Sequence, residues 1–167
     1  MKIAFSGTHG TGKTTSVYEH AYKLKLKYPN KKIIVLTEVA AECPLPINTD
    51  AKYESQLWIF NTQIKREIEL SSKYDIVICD RTIVDNLAYS KLNGFHDLYE
   101  STLKLAVNYI ESYSHIKVKL LKNNDHLHED GIRDAKNIKF REDVEKIMVD
   151  TYNVLKSLGS EFKLEYV

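Results

Sequence analysis

The sequence has little of what marks secreted, membrane-bound or polyanion-binding proteins. Its 167 residues include two cysteines, too few for a disulfide framework. The formal net charge is +1, so no global imbalance calls for nucleic acid or an anionic membrane as a partner. No hydrophobic stretch is long enough to span a membrane, and no signal peptide is recognisable. We therefore expect a cytoplasmic protein with reduced thiols and no membrane partner.

The sequence also lacks features that would divide the chain into parts. It contains no internal repeat, no low-complexity tract and no glycine- or serine-rich linker. Its 43% hydrophobic and 28% charged residues are the proportions of a globular protein with a substantial core. We therefore expect residues 1–167 to form a single domain.

Short hydrophobic runs alternate with longer stretches of helical periodicity. The runs that predict strands are Lys2–Ser6, Ile33–Leu36, Ile76–Cys79, Ile116–Leu121 and Phe162–Tyr166. The stretches that predict helices are residues 14–28, 53–71, 98–109 and 140–158, and Gly159 would cap the last. Strands that alternate with helices form a parallel sheet covered on both faces. The predicted fold is therefore α/β, with a five-stranded parallel sheet between two layers of helices.

The clearest motif lies between the first strand and the first helix. Residues 7–14 read Gly-Thr-His-Gly-Thr-Gly-Lys-Thr and fit G-x-x-x-x-G-K-[ST], the phosphate-binding loop of ATP- and GTP-using proteins. We expect Lys13 to neutralise the β- and γ-phosphates and Thr14 to be a ligand of Mg²⁺. The residues predicted to bind the nucleotide are Gly7, His9, Gly10, Thr11, Gly12, Lys13, Thr14 and Thr15. The predicted cofactors are accordingly ATP and Mg²⁺.

Charged residues follow the next two predicted strands at the point where each strand ends. Glu38 comes after the second strand, and Asp80 and Arg81 come after the third. Because ligands of such folds bind at the carboxyl ends of the strands, we expect these side chains to meet the phosphate loop at one edge of the sheet. Asp80 would organise Mg²⁺, and Arg81 could hold an anionic oxygen with its guanidinium fork.

A polar segment at about residues 123–137 follows the fourth predicted strand and indicates a flap or lid. It contains Arg133, and Arg141 lies at the start of the last predicted helix. If the flap closes over ATP, both arginines could stabilise the transferred phosphoryl group. The alternative is an exposed loop whose arginine is solvated.

The motifs resemble those of small phosphate-loop kinases. Asp80-Arg81, followed after six residues by Ala88-Tyr89, has the spacing of the D-R…A-Y signature of thymidylate kinases. The run from Asp80 to Tyr89 resembles domains related to deoxynucleotide kinases and nicotinamide riboside kinases, which are frequent in phages. Residues 130–133 and 140–141 resemble the flap and helix start of that group. The resemblance implies a nucleoside monophosphate kinase-like fold and transfer of the γ-phosphate of ATP to a nucleoside or (deoxy)nucleoside monophosphate.

The resemblance also implies roles for individual residues. Glu38 would act as a base or orient the acceptor, and Arg81 would grip an acceptor anion. A glutamine on the helix after the Glu38 strand would pair with the base, and Gln63 is the candidate for it. Arg66 on the same helix is a second candidate for substrate binding, with a solvated arginine as the alternative. Trp58 could stack on the base or pack into the core.

Other classes of phosphate-loop protein match the sequence less well. The N-K-x-D motif of GTPases and the L-S-G-G-Q motif of ABC-type ATPases are absent, and little chain remains for the helical C-terminal subdomain of AAA-type motors. Two alternatives stay open. The acceptor could be a hydroxyl on a modified base within DNA, or the chain could be an ATP-binding regulatory module without an acceptor. A homodimer is also open.

Overall fold

The computed structural model describes residues 1–121 and 138–167. The strands are β1 (Lys2–Ser6), β2 (Ile33–Leu36), β3 (Ile76–Asp80), β4 (His115–Val118) and β5 (Leu164–Tyr166). The helices are α1 (Lys13–Lys27), α2 (Tyr53–Ser71), α3 (Ile83–Leu92), α4 (His96–Tyr109) and α5 (Ile138–Ser157). The strand order is β2-β3-β1-β4-β5, and every pairing is parallel. The predicted five-stranded parallel α/β fold is confirmed.

The helices cover the two faces of the sheet unequally. Alternate residues of β1 point to opposite faces, so Ile3 and Phe5 pack with Val17 of α1. Ala4 faces the other way, into a larger core built from α2, α3, α4 and α5. Within the described residues, α1 supplies the helical residues of the smaller core. This layering explains why the central strands have continuous hydrophobic sequences.

Helix α3 is the element that the sequence analysis missed. All eight residues from Ile83 to Ser90 are buried. A helix buried on every side has no polar face, so it lacks the periodicity by which amphipathic helices are recognised. Smaller differences occur at ends: β4 stops at Val118 rather than Leu121. As predicted, Gly159 ends the last helix, with φ +93° and its N–H bonded to the Lys156 carbonyl.

The parallel sheet brings the carboxyl ends of β1, β2, β3 and β4 to one edge. The phosphate loop follows β1, Glu38 lies two residues beyond β2, and Asp80 ends β3. Lys119 directly follows β4. The predicted clustering of strand-end side chains therefore places the candidate site along this edge. In residues 1–121 and 138–167, no helix is both long and apolar enough to cross a membrane.

Candidate active site

The loop after β1 has the backbone of a phosphate cradle. Gly7, Gly10 and Gly12 have φ values of +144°, +75° and +71°, which glycine adopts without steric cost. A Cβ on Gly7 would lie 2.4 Å from the carbonyl oxygen of Lys119, so no other residue fits this close approach to the end of β4. The glycines are therefore required by the path of the chain as well as by the motif.

Two lysines bring positive charge to this loop. The buried Lys13 directs its Nζ back to the Thr8 carbonyl at 2.5 Å and to Thr11 Oγ1 at 3.4 Å. Lys119 donates to Ser16 Oγ at 2.9 Å and to the Gly12 carbonyl at 3.3 Å. Lys119 was not predicted from the sequence, although it follows a strand of the sheet as Glu38 does, and ligands of such folds bind at the carboxyl ends of the strands.

A carboxylate and a hydroxyl meet where the loop enters α1. Thr14 Oγ1 donates to Asp80 Oδ2 at 2.5 Å. The other carboxylate oxygen, Asp80 Oδ1, is buried and has no hydrogen-bond partner among the described residues. A carboxylate oxygen without a hydrogen-bond partner beside a hydroxyl is a donor set that suits Mg²⁺, which completes its shell with water and phosphate oxygens. Thr15, also predicted to bind the nucleotide, is exposed on the first turn of α1.

Arg81 joins the ends of three structural elements. Its Nε donates to Glu38 Oε1 at 2.6 Å, and one terminal nitrogen contacts the Gly7 carbonyl and Asp85 Oδ1, each at 3.2 Å. The residue is 7% exposed and has φ +95°. A non-glycine residue in such a conformation costs about 1–3 kcal/mol, so these bonds must offset backbone strain. The arrangement places a buried cation and a carboxylate side by side after β2 and β3.

Asp85 is a second residue of the candidate site that was not predicted from the sequence. Its carboxylate accepts hydrogen bonds from Ser6 Oγ at 2.8 Å, from the Gly7 amide at 3.1 Å and from the Thr82 amide at 2.9 Å. It therefore ties the start of the phosphate loop to the start of α3. The pattern Thr82-x-x-Asp85 is a variant of the capping box at a helix N-terminus, and the structure shows both capping bonds. That signal was present in the sequence.

A cavity lies beside this cluster. Its apolar lining includes Val39, Ile47 and Ile59. Its polar lining includes Glu38, Arg81, Asp85, Gln56, Gln63, Asn86 and Tyr89. Apolar wall segments combined with converging polar groups are typical of a small-molecule site. The cavity thus places two carboxylates, a guanidinium and the amides of Gln56, Gln63 and Asn86 around one space.

Arg141 and His9 link the phosphate loop to α5 and α3. Arg141 Nε donates to the His9 carbonyl at 3.1 Å, and the buried nitrogen Nη2 of Arg141 has no hydrogen-bond partner within the described ranges. The His9 ring lies 3.1 Å, Nδ1 to Oη, from Tyr89, which lines the cavity. A buried guanidinium nitrogen left unpaired beside a phosphate loop is a ready donor for an anion.

Some predicted residues lie elsewhere. Arg66 is not among the cavity-lining residues and pairs with Glu42 through two bonds of 2.5 and 2.6 Å, which lower the pKa of the Glu42 carboxyl. Trp58 packs against the larger core. Arg133 and the predicted flap at 123–137 lie outside the described residues. Cys79 is a core residue, and burial raises the pKa of its thiol well above the usual value.

A family model described as an AAA domain matches residues 2–161. From the sequence, AAA-type motors fit less well because little chain remains for their helical C-terminal subdomain. In the structure, α5 packs against α3 as part of the sheet-based fold. Residues 138–157 therefore do not form a separate helical subdomain. No curated protein matches the sequence significantly.

Solved structures of two kinds of kinase have the same fold. The chain is 17% identical to a deoxyadenosine kinase from M. mycoides with bound dATP. The two structures match with a TM-score of 0.61 over 98% of this chain and 89% of the deoxyadenosine kinase. The chain is also 17% identical to a thymidylate kinase from Ehrlichia chaffeensis. That match has a TM-score of 0.63 and extends over 99% of this chain and 90% of the thymidylate kinase. At these identities the likeness shows the fold.

Proposed function

The chain belongs to the AAA domain family, and from that premise we propose that it is an ATP-dependent kinase. It would transfer the γ-phosphate to a nucleoside or a (deoxy)nucleoside monophosphate, with residues 1–167 acting as one domain. The observation that carries the proposal is the cavity lined by Glu38 and Arg81, which adjoins the phosphate loop and Asp80. A regulatory nucleotide switch needs the loop and the metal site but no second cavity with an acid and an arginine. The similar folds of a deoxyadenosine kinase and a thymidylate kinase support the same choice.

ATP would lie on the loop from Gly7 to Thr15, with Gly10 and Gly12 letting the backbone amides face the phosphates. Lys13 would leave the Thr8 carbonyl and contact the β- and γ-phosphates. Thr14 and Asp80 would hold Mg²⁺. When bound, this ion would neutralise negative charge on the β- and γ-phosphates. Lys119 and Arg141 would add positive charge around the same phosphates.

The acceptor would lie in the cavity with its oxygen between Glu38 and the γ-phosphate. For a hydroxyl acceptor, the new phosphorus–oxygen bond forms as the bond to the β-phosphate bridging oxygen breaks, the proton passes to Glu38, and ADP leaves. A monophosphate acceptor is already anionic, so Glu38 would then only position the sugar. Arg81 would hold the acceptor anion and Gln63 its base. If the segment that contains Arg133 closes over ATP, Arg133 would be a further cation for the transferred group.

A label-transfer panel tests the proposal. Labelled ATP and Mg²⁺ would be offered with nucleosides, with nucleoside monophosphates and with duplex DNA that carries hydroxymethylated bases. We expect label in one of the first two classes, and we expect Lys13→Ala to reduce the rate by at least about a hundredfold because charge neutralisation at the phosphates is lost. Lys104→Ala removes an equal charge from an exposed site and serves as the matched control.

The remaining outcomes of the panel separate the alternatives. Label in DNA alone would overturn the small-molecule acceptor and favour the DNA-directed kinase. Tight ATP binding without any labelled acceptor would favour the regulatory module.

Because both cysteines are unpaired, we also propose that the protein acts in the cytoplasm, where thiols stay reduced.

A further inference from the structure

A buried ion pair lies at the edge of the sheet opposite the phosphate loop. Lys2 begins β1, and its Nζ lies 2.6 Å from Glu67 Oε2 on α2. Glu67 is fully buried and Lys2 is 6% exposed. The Lys2 ammonium also lies over the rings of Tyr109 and Tyr113, at 4.3 and 4.1 Å from their centres. None of these four residues has a role in phosphate binding.

Glu67 receives hydrogen bonds from four side chains. Besides Lys2, the donors are the hydroxyl of Tyr109 at 2.9 Å, the hydroxyl of Tyr113 at 2.7 Å and Nε2 of Gln63 at 2.7 Å. Burial, and then the negative charge of Glu67, raise the pKa of both tyrosines, so both phenols stay protonated and donate. The Glu67 carboxylate accepts all four bonds, with the Lys2 ammonium as its ion-pair partner, so every bond to Glu67 has a fixed direction.

Stability alone is a poor explanation for such a network. Removing two charges from water is costly, and well-packed hydrophobic residues often stabilise a core as well or better. A buried ionic network that gives little net stability can instead fix the orientation of its neighbours. Gln63 is the member of this network that also lines the candidate acceptor cavity.

The network determines which end of the Gln63 amide is left for a ligand. Nε2 of Gln63 donates to Glu67 Oε1 and lies 3.5 Å from the carbonyl oxygen of Arg81, and both partners are acceptors. The amide therefore cannot be reversed without placing oxygen against oxygen. Within the described part of the chain, the side-chain hydrogen bonds of Gln63 are made by Nε2, and Gln63 lines the cavity, so Oε1 is the polar atom that remains for a bound molecule.

A second amide in the cavity is fixed in the same sense. Asn86 Nδ2 donates to the Gln56 carbonyl at 3.2 Å and to Gln56 Oε1 at 2.7 Å. Because the backbone carbonyl can only accept, the nitrogen side of Asn86 is assigned. Its Oδ1 is buried and has no partner in residues 1–121 and 138–167. Both amides thus leave an acceptor oxygen unused.

We propose that Glu67 is a positioning residue that makes Gln63 a hydrogen-bond acceptor toward the cavity, so that the site selects a base presenting an N–H donor there. The inference rests on the proposed function for the identity of the ligand. It assigns the selectivity to a residue which the acceptor never touches. A base whose N–H is missing or methylated leaves the Gln63 oxygen desolvated and unpaired.

Glu67→Gln and Lys2→Met form a matched pair of variants. Both break the same ion pair, and methionine preserves the length of the lysine stem. In Lys2→Met the carboxylate still accepts from Gln63, so the amide stays fixed. In Glu67→Gln the new amide nitrogen needs an acceptor, which Gln63 supplies by turning its oxygen away from the cavity. A purely structural role for Glu67 would make the two variants behave alike.

The test is binding by titration calorimetry, in the presence of a non-hydrolysable ATP analogue. The ligands are three nucleoside pairs that differ by one N–H donor: adenosine and purine riboside, cytidine and 2-pyrimidinone riboside, and uridine and N3-methyluridine. For the pair that the site accepts, we expect donor removal to weaken binding about tenfold or more in the wild type and in Lys2→Met. In Glu67→Gln we expect removal of the donor to weaken binding by less than about threefold.

Each outcome decides something. If neither these nucleosides nor their monophosphates bind, the proposed function fails and this inference fails with it. If nucleosides bind but donor removal has no effect on the wild type, the function stands and the inference is wrong. The inference is also wrong if removal of the N–H donor weakens binding by the same factor in Glu67→Gln and in Lys2→Met. Should Glu67→Gln fail to fold because Lys2 is left unpaired, the double variant Lys2→Met/Glu67→Gln removes the stranded charge, and the same ratio is measured there.

Discussion

At the scale of single residues, Arg81 holds the candidate site together. One guanidinium contacts Glu38 from the chain after β2, the Gly7 carbonyl in the phosphate loop and Asp85 on α3. It does so from a left-handed backbone conformation that is unfavourable for arginine. Strain of this kind persists where the surrounding contacts fix it, and it concentrates at functional positions. Arg81 and Glu38 should therefore act as a coupled pair.

The pair gives a prediction about acceptor class. Arg81→Ala should lower kcat/KM by about 10²–10³ with monophosphate acceptors and by less with nucleosides, because only the monophosphate presents an anion to the guanidinium. Glu38→Gln should lower kcat/KM more with nucleosides than with monophosphates, since only a hydroxyl acceptor must lose a proton. The measurement is kcat/KM for both variants with both acceptor classes.

Arg81→Lys is the control for this crossover. Lysine keeps the positive charge beside Glu38 but cannot form the same fork of hydrogen bonds. If Arg81→Ala loses equal activity with nucleosides and monophosphates while Arg81→Lys is unaffected, Arg81 balances the charge of Glu38 and does not hold an acceptor phosphate.

The sequence was sufficient to place these residues but not to pair them. Alternating strands and helices imply a common carboxyl edge, so Glu38, Asp80 and Arg81 could be assigned to it from their positions after the strands. The Arg81–Glu38 ion pair and the Arg66–Glu42 pair depend on distances between separate elements. No local pattern in a single sequence reports such distances.

At the scale of secondary structure, the phosphate loop is supported by the end of β4. Gly7 lies against the Lys119 carbonyl, and Lys119 in turn donates to Gly12 and Ser16 at the other end of the loop. The loop is therefore held at both ends by one residue of a neighbouring strand end. Its conformation should depend strongly on the absence of a side chain at Gly7.

Gly7→Ala and Gly94→Ala separate crowding from backbone conformation. Both glycines have positive φ, but a Cβ on Gly94 would meet nothing within 4 Å, whereas one on Gly7 would lie 2.4 Å from a backbone oxygen. We expect Gly94→Ala to cost about 1 kcal/mol of unfolding free energy and Gly7→Ala at least about 3 kcal/mol. Urea unfolding of the two variants measures the difference, and equal costs would contradict the crowding of the loop.

Helix α3 shows where reading the elements from sequence failed. Periodicity identifies a helix by the contrast between its faces, and a helix buried on all sides has none. Capping chemistry survives burial, so Thr82 and Asp85 could have marked its start. The same oversight hid Asp85, whose carboxylate connects α3 to the phosphate loop.

At the scale of the whole molecule, the fold brings two candidate binding regions to one edge of the sheet. The phosphate loop and Asp80 form the first region, and the cavity bordered by Glu38 and Arg81 forms the second. Arg81 contacts the Gly7 carbonyl directly, so the two regions are adjacent. The proposed phosphotransferase requires this adjacency, and a protein that only binds ATP does not.

Adjacent sites can be tested with one molecule that occupies both. Adenosine joined through a chain of phosphates to deoxyadenosine or to thymidine should bind at least about a hundredfold more tightly than ATP or the nucleoside alone, because the second contact becomes intramolecular. Titration calorimetry with phosphate chains of increasing length measures this gain, which should peak at one length and disappear in both Lys13→Ala and Arg81→Ala. Binding no tighter than that of ATP at any length would contradict adjacent donor and acceptor sites.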